Sequence, residues 1–267
     1  MQENERPLIL LTNDDGIYSP GLAALARSVA DLGDILIVAP CQQQSAMGRS
    51  LAGSGVIQSV HLDLGFTPYG AYSVEGTPAL AVRTAVAILA PGKIALAVAG
   101  INYGENIGVG ITISGTLGAA LEAASYDIPS LAVSLETDVA HHFTHSSEVD
   151  FSVAALFARR AVIHALQYGI PPAVDVLKVD IPCDANASTP WRLTRLTRQR
   201  YFESTLVQTE SGQLRFTGYE QAIDLAHLET DSDAHALLVD RIVAVSPLTI
   251  DLSANIALGT DTNWQPL

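Results

Sequence analysis

The segment LILLTNDDG sets Asn13, Asp14, Asp15 and Gly16 directly after a short apolar run. Two adjacent carboxylates at the end of a buried strand repel each other unless a cation or a proton lies between them. Carboxylate, amide and hydroxyl oxygens are also the donor set of a hard divalent ion such as magnesium or manganese. The same residue types make a capped turn, and on this motif alone both readings stand.

Three further segments carry polar chemistry. In AVAGINYGENIG, Gly100, Gly104 and Gly108 allow a ligand close to the backbone, and Asn102 and Asn106 offer amide groups without adding charge. Such loops also occur as plain turns, but this one follows a core strand. In ISGTLGAALEAA, Ser114, Gly115 and Thr116 precede an Ala-rich helix. Free N–H groups and the dipole at such an end favour a phosphate, and Ser or Thr there also serves as an ordinary cap. The loop APCQQQSAMG contains Ser45, and serines in polar loops mostly bond the backbone.

The histidines of HHFTH (His141, His142, His145) place two rings on one face if the segment is helical. No second ligand cluster lies near them in sequence, so a solvated loop is the simpler expectation.

Other chemistries are excluded by missing motifs. There is no phosphate loop of the Gly-x-x-x-x-Gly-Lys-Ser/Thr type, no Gly-x-Ser-x-Gly nucleophile elbow and no His-Glu-x-x-His. GVGITISG lacks the third glycine of the dinucleotide fingerprint. Asp14 and Asp15 are neighbours, so the Asp-x-Asp pair of a phospho-aspartyl mechanism is absent at this site.

These residues need a frame, and the first two thirds of the chain supply a βαβ rhythm. Strands are expected at Leu8–Thr12, Ile35–Ala39, Ala71–Val74, Ile94–Ala99, Ser130–Ser134 and Val176–Val179. Helices are expected at Pro20–Asp31, Pro78–Leu89, Thr116–Tyr126 and Phe151–Tyr168, two of them opening on a proline that a first turn tolerates. The pattern predicts a doubly wound, mostly parallel sheet, with Asp14 at a strand's carboxyl end, where such sheets bind ligands.

Past about residue 182 the texture changes. Charged and aromatic residues interleave around a Ser211-Gly212 turn, which reads as a protruding β-hairpin arm. AHALLVDRIVAVSPLTIDLSA then reads as a short helix or loop leading to a strand that returns to the sheet. The expectation is one domain over residues 1–267, with a core of roughly 1–182 and an arm plus C-terminal segment of roughly 183–267.

Bulk composition narrows the partners. Over 267 residues, 28 Asp and Glu outnumber 14 Lys and Arg, for a net charge of −14. That balance argues against duplex nucleic acid, whose binding rests on basic side chains. The cysteines, Cys41 and Cys183, make neither a zinc knuckle nor a disulfide framework. The polar start MQENERP has no apolar signal region and no apolar run reaches spanning length, so a cytoplasmic protein with no membrane partner is expected.

Together, LILLTNDDGIYSPGLAALA, VAPCQQQSAMGRSL, VEGTPALAV, VAGINYGENIG and ISGTLGAALEAASYDIPSLAVSLE resemble the stationary-phase survival protein SurE family of metal-dependent nucleotidases. They stand in the family's order across most of the first 136 residues. VDIP, the aromatic hairpin region and VAVSPLTIDLSA are similar to its C-terminal half. The resemblance implies a three-layer α/β/α, Rossmann-like fold whose arm and C-terminal segment exchange contacts in a homodimer or homotetramer. It implies hydrolysis of nucleoside 5′- or 3′-monophosphates.

Carried over residue by residue, the metal ligands fall on Asp14, Asp15, Ser45 and Asn102, with Asp14, Asp15 and Asn102 catalytic. The phosphate contacts fall on Asn106, Ser114, Gly115 and Thr116. One divalent ion per subunit, magnesium or manganese and also cobalt, is the implied cofactor. The chain departs from the family at Cys41-Gln42, at Ala46 in place of glycine, and at IGVGITI, where acidic residues are common. These departures bear on nucleotide preference and turnover.

The mechanism implied is metal-assisted attack of water, with Ser114, Thr116 and the helix N-terminus stabilising phosphoryl charge. A carboxylate tied to a metal is a poor base, so the general base is left unassigned. A non-catalytic nucleotide sensor on the same fold is the alternative, separated by binding without phosphate release. A purely structural oligomer is a third.

Overall fold

The alternating runs fold as expected in the computed structural model, which describes residues 6–253 apart from Phe143, Ser147 and Glu210. In chain order the strands are β1 (Leu8–Thr12), β2 (Asp34–Pro40), β3 (Gly53–Ser59), β4 (Gly70–Gly76), β5 (Ile94–Tyr103), β6 (Ser130–Leu135), β7 (Val176–Ile181), β8 (Trp191–Leu193), β9 (Phe202–Gln208), β10 (Leu214–Gln221) and β11 (Val243–Leu248). The helices are α1 (Pro20–Val29), α2 (Pro78–Thr84), α3 (Gly115–Ala124), α4 (Ser152–Tyr168) and α5 (Asp233–Leu238).

Nine strands form one sheet in the order β3-β4-β2-β1-β5-β6-β7-β11-β8. From β4 to β7 neighbouring strands are parallel, while β3 and β11 run antiparallel at its two sides. The chain winds outward through β1, β2 and β4, then crosses back to β5, so β1 and β5 flank the point where winding reverses. Ligands in open α/β sheets bind at the carboxyl ends beside that point.

Strand side chains alternate between two cores. Ile9, Leu11, Ile35 and Ile37 pack on the face covered by α1 and α4. Leu8, Leu10, Leu36 and Val38 pack on the face covered by α2 and α3. This two-residue period, apolar on both sides, is what a sheet covered by helices on both faces requires. Pro20 and Pro78 open their helices, and the Thr77 hydroxyl caps α2 by accepting from Leu80 N.

Two expected features differ in detail. The expected helix Pro78–Leu89 is α-helical only to Thr84 and continues as a wider π turn over Ala85–Leu89. The edge strand β3 was not read from sequence: GSGVIQS is mostly exposed and carries no buried alternation. The hairpin β9–β10 stands as a separate two-stranded sheet turning at Ser211-Gly212, and β11 returns beside β7.

Candidate active site

Asn13 closes the turn after β1 by itself: its Nδ2 donates to Gly16 O at 3.0 Å and its Oδ1 accepts from Gly16 N at 3.1 Å. The turn therefore does not consume the two carboxylates that follow. Asp14 and Asp15 are buried, at 5% and 1% exposure. Thr116 Oγ1 donates to Asp14 Oδ1 at 2.5 Å, tying β1 to the first turn of α3. Gln43 Nε2 reaches Asp15 Oδ1 at 3.5 Å and donates to Ser45 Oγ at 3.0 Å and to His142 O at 2.6 Å. Asp15 Oδ2 is buried with no hydrogen-bond partner among the described residues.

Burial raises Asp14 to about 6 against the hydrogen bond from Thr116. Burial first, and the Asp14 charge second, push Asp15 well above the usual carboxylate range. Two neighbouring carboxylates whose ionisation burial opposes, one with an orphaned oxygen, make a site that a cation would relieve.

Asn102 reaches the same place through a sheet irregularity. The register between β5 and β6 shifts between Ala99 and Asn102, and such bulges re-aim side chains next to sites. Its Nδ2 donates to Tyr103 O at 3.2 Å and Gly104 O at 2.6 Å, which leaves Oδ1 as the atom it can offer a cation. Asp14, Ser45, Asn102, Asn106 and Ser114 line one cavity of about 730 Å³. The donor set there, carboxylate with neutral hydroxyl and amide oxygens, fits a hard divalent ion.

The expected phosphate residues take distinct places. Asn106 Nδ2 donates to Ser134 Oγ at 2.8 Å and the side chain lines the cavity. Ser114 lines it too, while its Oγ caps α3 by accepting from Leu117 N at 3.2 Å. The Thr116 hydroxyl is engaged with Asp14. At Gly115 a Cβ would lie 2.6 Å from Asp14 Cβ, so only glycine lets the helix start approach the carboxylate.

The histidine segment is not a solvated loop. His142 is buried and its Nδ1 lies 2.7 Å from Tyr219 Oη, while His145 Nε2 lies 2.6 Å from Asp15 O. The segment is drawn onto the site because the carbonyls of Asp15 and Thr137 and the arm's aromatic rings give the imidazoles partners that a free loop lacks.

The sequence carries no comparable motif for several residues here: Glu105, Arg200, Tyr201, Phe202 and Tyr219 line the cavity, and Gln43 lies behind Ser45. Tyr201 Oη donates to Glu105 Oε1 at 2.6 Å, and burial pushes Glu105 up to about 7. For the four arm residues the only signal is the aromatic and basic interleaving in RQRYF and TGYE. A separate acidic group, Glu136 with Cys183 and Asp184, already holds its cation: Arg241 Nη2 lies 2.6 Å from Glu136 Oε2 and from Asp184 Oδ1.

Known proteins share this chain's sequence pattern and fold. The family model "Survival protein SurE" matches residues 9–203. A protein named 5′-nucleotidase SurE from Thermococcus gammatolerans is 41% identical over 249 residues, covering 93% of this chain and 92% of its own. Another of that name from Archaeoglobus fulgidus is 35% identical over 259 residues, covering 96% of each. The crystal structure of the SurE protein from Aquifex aeolicus superposes with a TM-score of 0.75 at 31% identity, covering 92% of this chain and 95% of its own. With the family's pattern matched over most of its length and its fold reproduced, this chain belongs to the SurE survival protein family.

Proposed function

We propose that this protein is a phosphomonoesterase that hydrolyses nucleoside 5′- or 3′-monophosphates with one divalent ion held by Asp14, Asp15, Ser45 and Asn102. The observation that carries the reading is the pair of buried carboxylates at the sheet's switch point, one oxygen of which lacks a partner among the described residues. The name 5′-nucleotidase borne by its relatives supports the substrate class.

When bound, a divalent ion supplies Lewis-acid polarisation of the phosphoryl group and a stronger water nucleophile near neutral pH. The remaining work belongs to the chain. Asp14 and Asp15 provide the negative charge that fixes the ion; Ser45 and Asn102 add neutral oxygens. Asn106 and the Ser114–Gly115–Thr116 turn meet the phosphate oxygens, aided by the positive end of α3. Asn106 is pre-oriented for this by Ser134, which holds one of its amide hydrogens. Thr116 keeps Asp14 in place through its hydroxyl. Arg200 supplies a guanidinium at the cavity wall in a chain of net charge −14.

We further propose that residues 1–267 act as one unit, since β11 from the C-terminal segment lies in the same sheet as β1–β7. Its apolar arm, with Leu214 and Phe216 each more than 70% exposed, supports a homodimer or homotetramer. Among the described residues no helix is long and apolar enough to cross a membrane, and both cysteines are free, which supports a cytoplasmic setting.

The test is phosphate release from a panel of nucleoside monophosphates with magnesium, manganese or cobalt. Release that chelation abolishes and one of these ions restores supports the assignment. Tight nucleotide binding without release in any of them refutes it and leaves a sensor.

A further inference from the structure

Lys178, in the middle of β7, has no exposed surface, and neither do Asp180 and Asp233 beside it. Its Nζ meets Asp180 Oδ2 and lies 3.1 Å from Asp233 Oδ2. A buried triad of this kind adds little net stability, because desolvation offsets most of the attraction. Its remaining bonds show what it holds. Asp180 Oδ1 accepts from Asn106 N at 2.8 Å, and Asp233 Oδ2 accepts from Gly108 N at 2.9 Å. Asp233 Oδ1 accepts from Thr197 N and Ala234 N, each at 2.9 Å.

The loop so gripped is the one that carries Asn106 into the cavity. Ile107 anchors it in a small core with Tyr201, Leu228, Ala234 and Leu237, but that packing leaves the loop's amides unsatisfied. Two alternate amides, of Asn106 and Gly108, are instead bonded to buried carboxylates from β7 and α5. Hydrogen bonds to an ionised acceptor are stronger than neutral ones. Burial raises Asp180, and the Lys178 ammonium, which meets both carboxylates, opposes that shift. The amides of Asn106 and Gly108 are thereby committed to the scaffold.

We propose that Lys178, Asp180 and Asp233 are positioning residues that hold the Asn106–Gly108 loop in phosphate-binding geometry, so that the C-terminal helix α5 completes a site built on β1 and β5. This rests on Asn106 meeting the phosphate, as proposed above. The triad touches none of Asp14, Asp15 or Ser45 through any of its hydrogen bonds or ion pairs. It does not bond Asn102 either, whose amide is held by Tyr103 O and Gly104 O ahead of the gripped residues, so its effect is expected on phosphate before metal.

The experiment uses the full chain carrying Asp180→Asn or Asp233→Asn, each shown by thermal melting to be folded at the assay temperature. Calorimetry gives the affinity for manganese alone, then for inorganic phosphate with manganese present; steady-state kinetics give kcat and KM for a nucleoside 5′-monophosphate. The expected result is manganese affinity within about threefold of wild type, with phosphate Kd and KM raised at least about tenfold and kcat lowered, since small misplacements of a binding group are costly. A merely structural role lowers the active fraction and leaves KM and phosphate Kd unmoved; that result overturns the proposal, as does manganese affinity falling in parallel.

Should either single variant not fold, the pair Lys178→Met with Asp180→Asn keeps the cluster's net charge and carries the same expectation. Unchanged phosphate affinity there likewise overturns it. Wild-type protein that neither binds nor releases phosphate fails the functional reading and this proposal with it; an active wild type with unmoved variants fails the positioning alone.

Discussion

Asp14, Asp15 and Glu105 are acids that burial holds above their ordinary ionisation range, and this gives the protein a pH signature that depends on metal. A group whose folded pKa is raised binds more protons folded than unfolded, so its contribution falls away as pH rises from the unfolded value to the folded one. For Asp14 that window runs from 3.8 to about 6, and for Glu105 from 4.5 to about 7. In chelator, the melting temperature is expected to drop between about pH 4 and pH 7 from these groups. With manganese the drop is expected to be smaller, because a cation answers the charge on the Asp14–Asp15 pair. Melting curves that are flat with pH in chelator, or equally steep with and without manganese, contradict this.

Gly115 gives a second residue-scale expectation. A methyl group there meets Asp14 Cβ at 2.6 Å and Asp14 Oδ2 at 2.7 Å. Gly115→Ala is expected to weaken manganese binding by about 10- to 100-fold by displacing Asp14, the proposed ligand, in the range seen when a ligand's supporting contacts are lost. Calorimetric titration checks it, and wild-type affinity refutes it. Asp14, Asn102 and Ser114 were legible in sequence because each falls at a strand end or helix start that periodicity locates. Glu105 and His142 were not, because their roles depend on where the arm returns. Lys178 and Asp180 had a readable signal: two charges inside the apolar run VLKVDI of a covered strand require an internal partner.

At the scale of elements, the loop after β2 carries Ser45 and must be pressed against α3. Backbone contact does this: a Cβ at Gly118 would lie 2.0 Å from Gly48 O. Arg49 of this loop and Arg83 of α2 both bond the buried Glu122 of α3, each at 2.8 Å. Gly118→Ala is therefore expected to destabilise the fold by about 2 kcal/mol through overpacking and to raise the manganese requirement by shifting Ser45. Denaturant unfolding and metal titration test both effects, and unchanged values for both contradict the role given to this contact. The parallel strands and their helices followed from apolar alternation and proline-marked helix starts. The edge strand β3 and the short β8 (Trp191–Leu193) did not, because exposed edges carry no buried pattern and their pairing is set by neighbours.

For the whole molecule, the arm presents Leu206, Leu214 and Phe216 to solvent from a two-stranded sheet. A lone hairpin with an apolar face is marginal in water, so a second copy of this chain is its expected cover. Changing Leu214 and Phe216 together to serine is expected to shift the mass by light scattering toward the monomer; an unchanged mass contradicts the proposed oligomer. The hairpin and its turn were legible from Ser211-Gly212 and the interleaved residues, but its base as a wall of the cavity was not, since that depends on chain far apart in sequence.

All of this turns on whether the Asp14–Asp15 pair anchors phosphate-ester hydrolysis. The direct measurement is kcat/KM for phosphate release from a nucleoside 5′-monophosphate in manganese, comparing wild type with folded Asp14→Asn. A loss of at least about 100-fold is predicted, as expected when one charge that fixes the catalytic ion is removed. Turnover in the folded variant within a few fold of wild type, and insensitive to chelator, would contradict it.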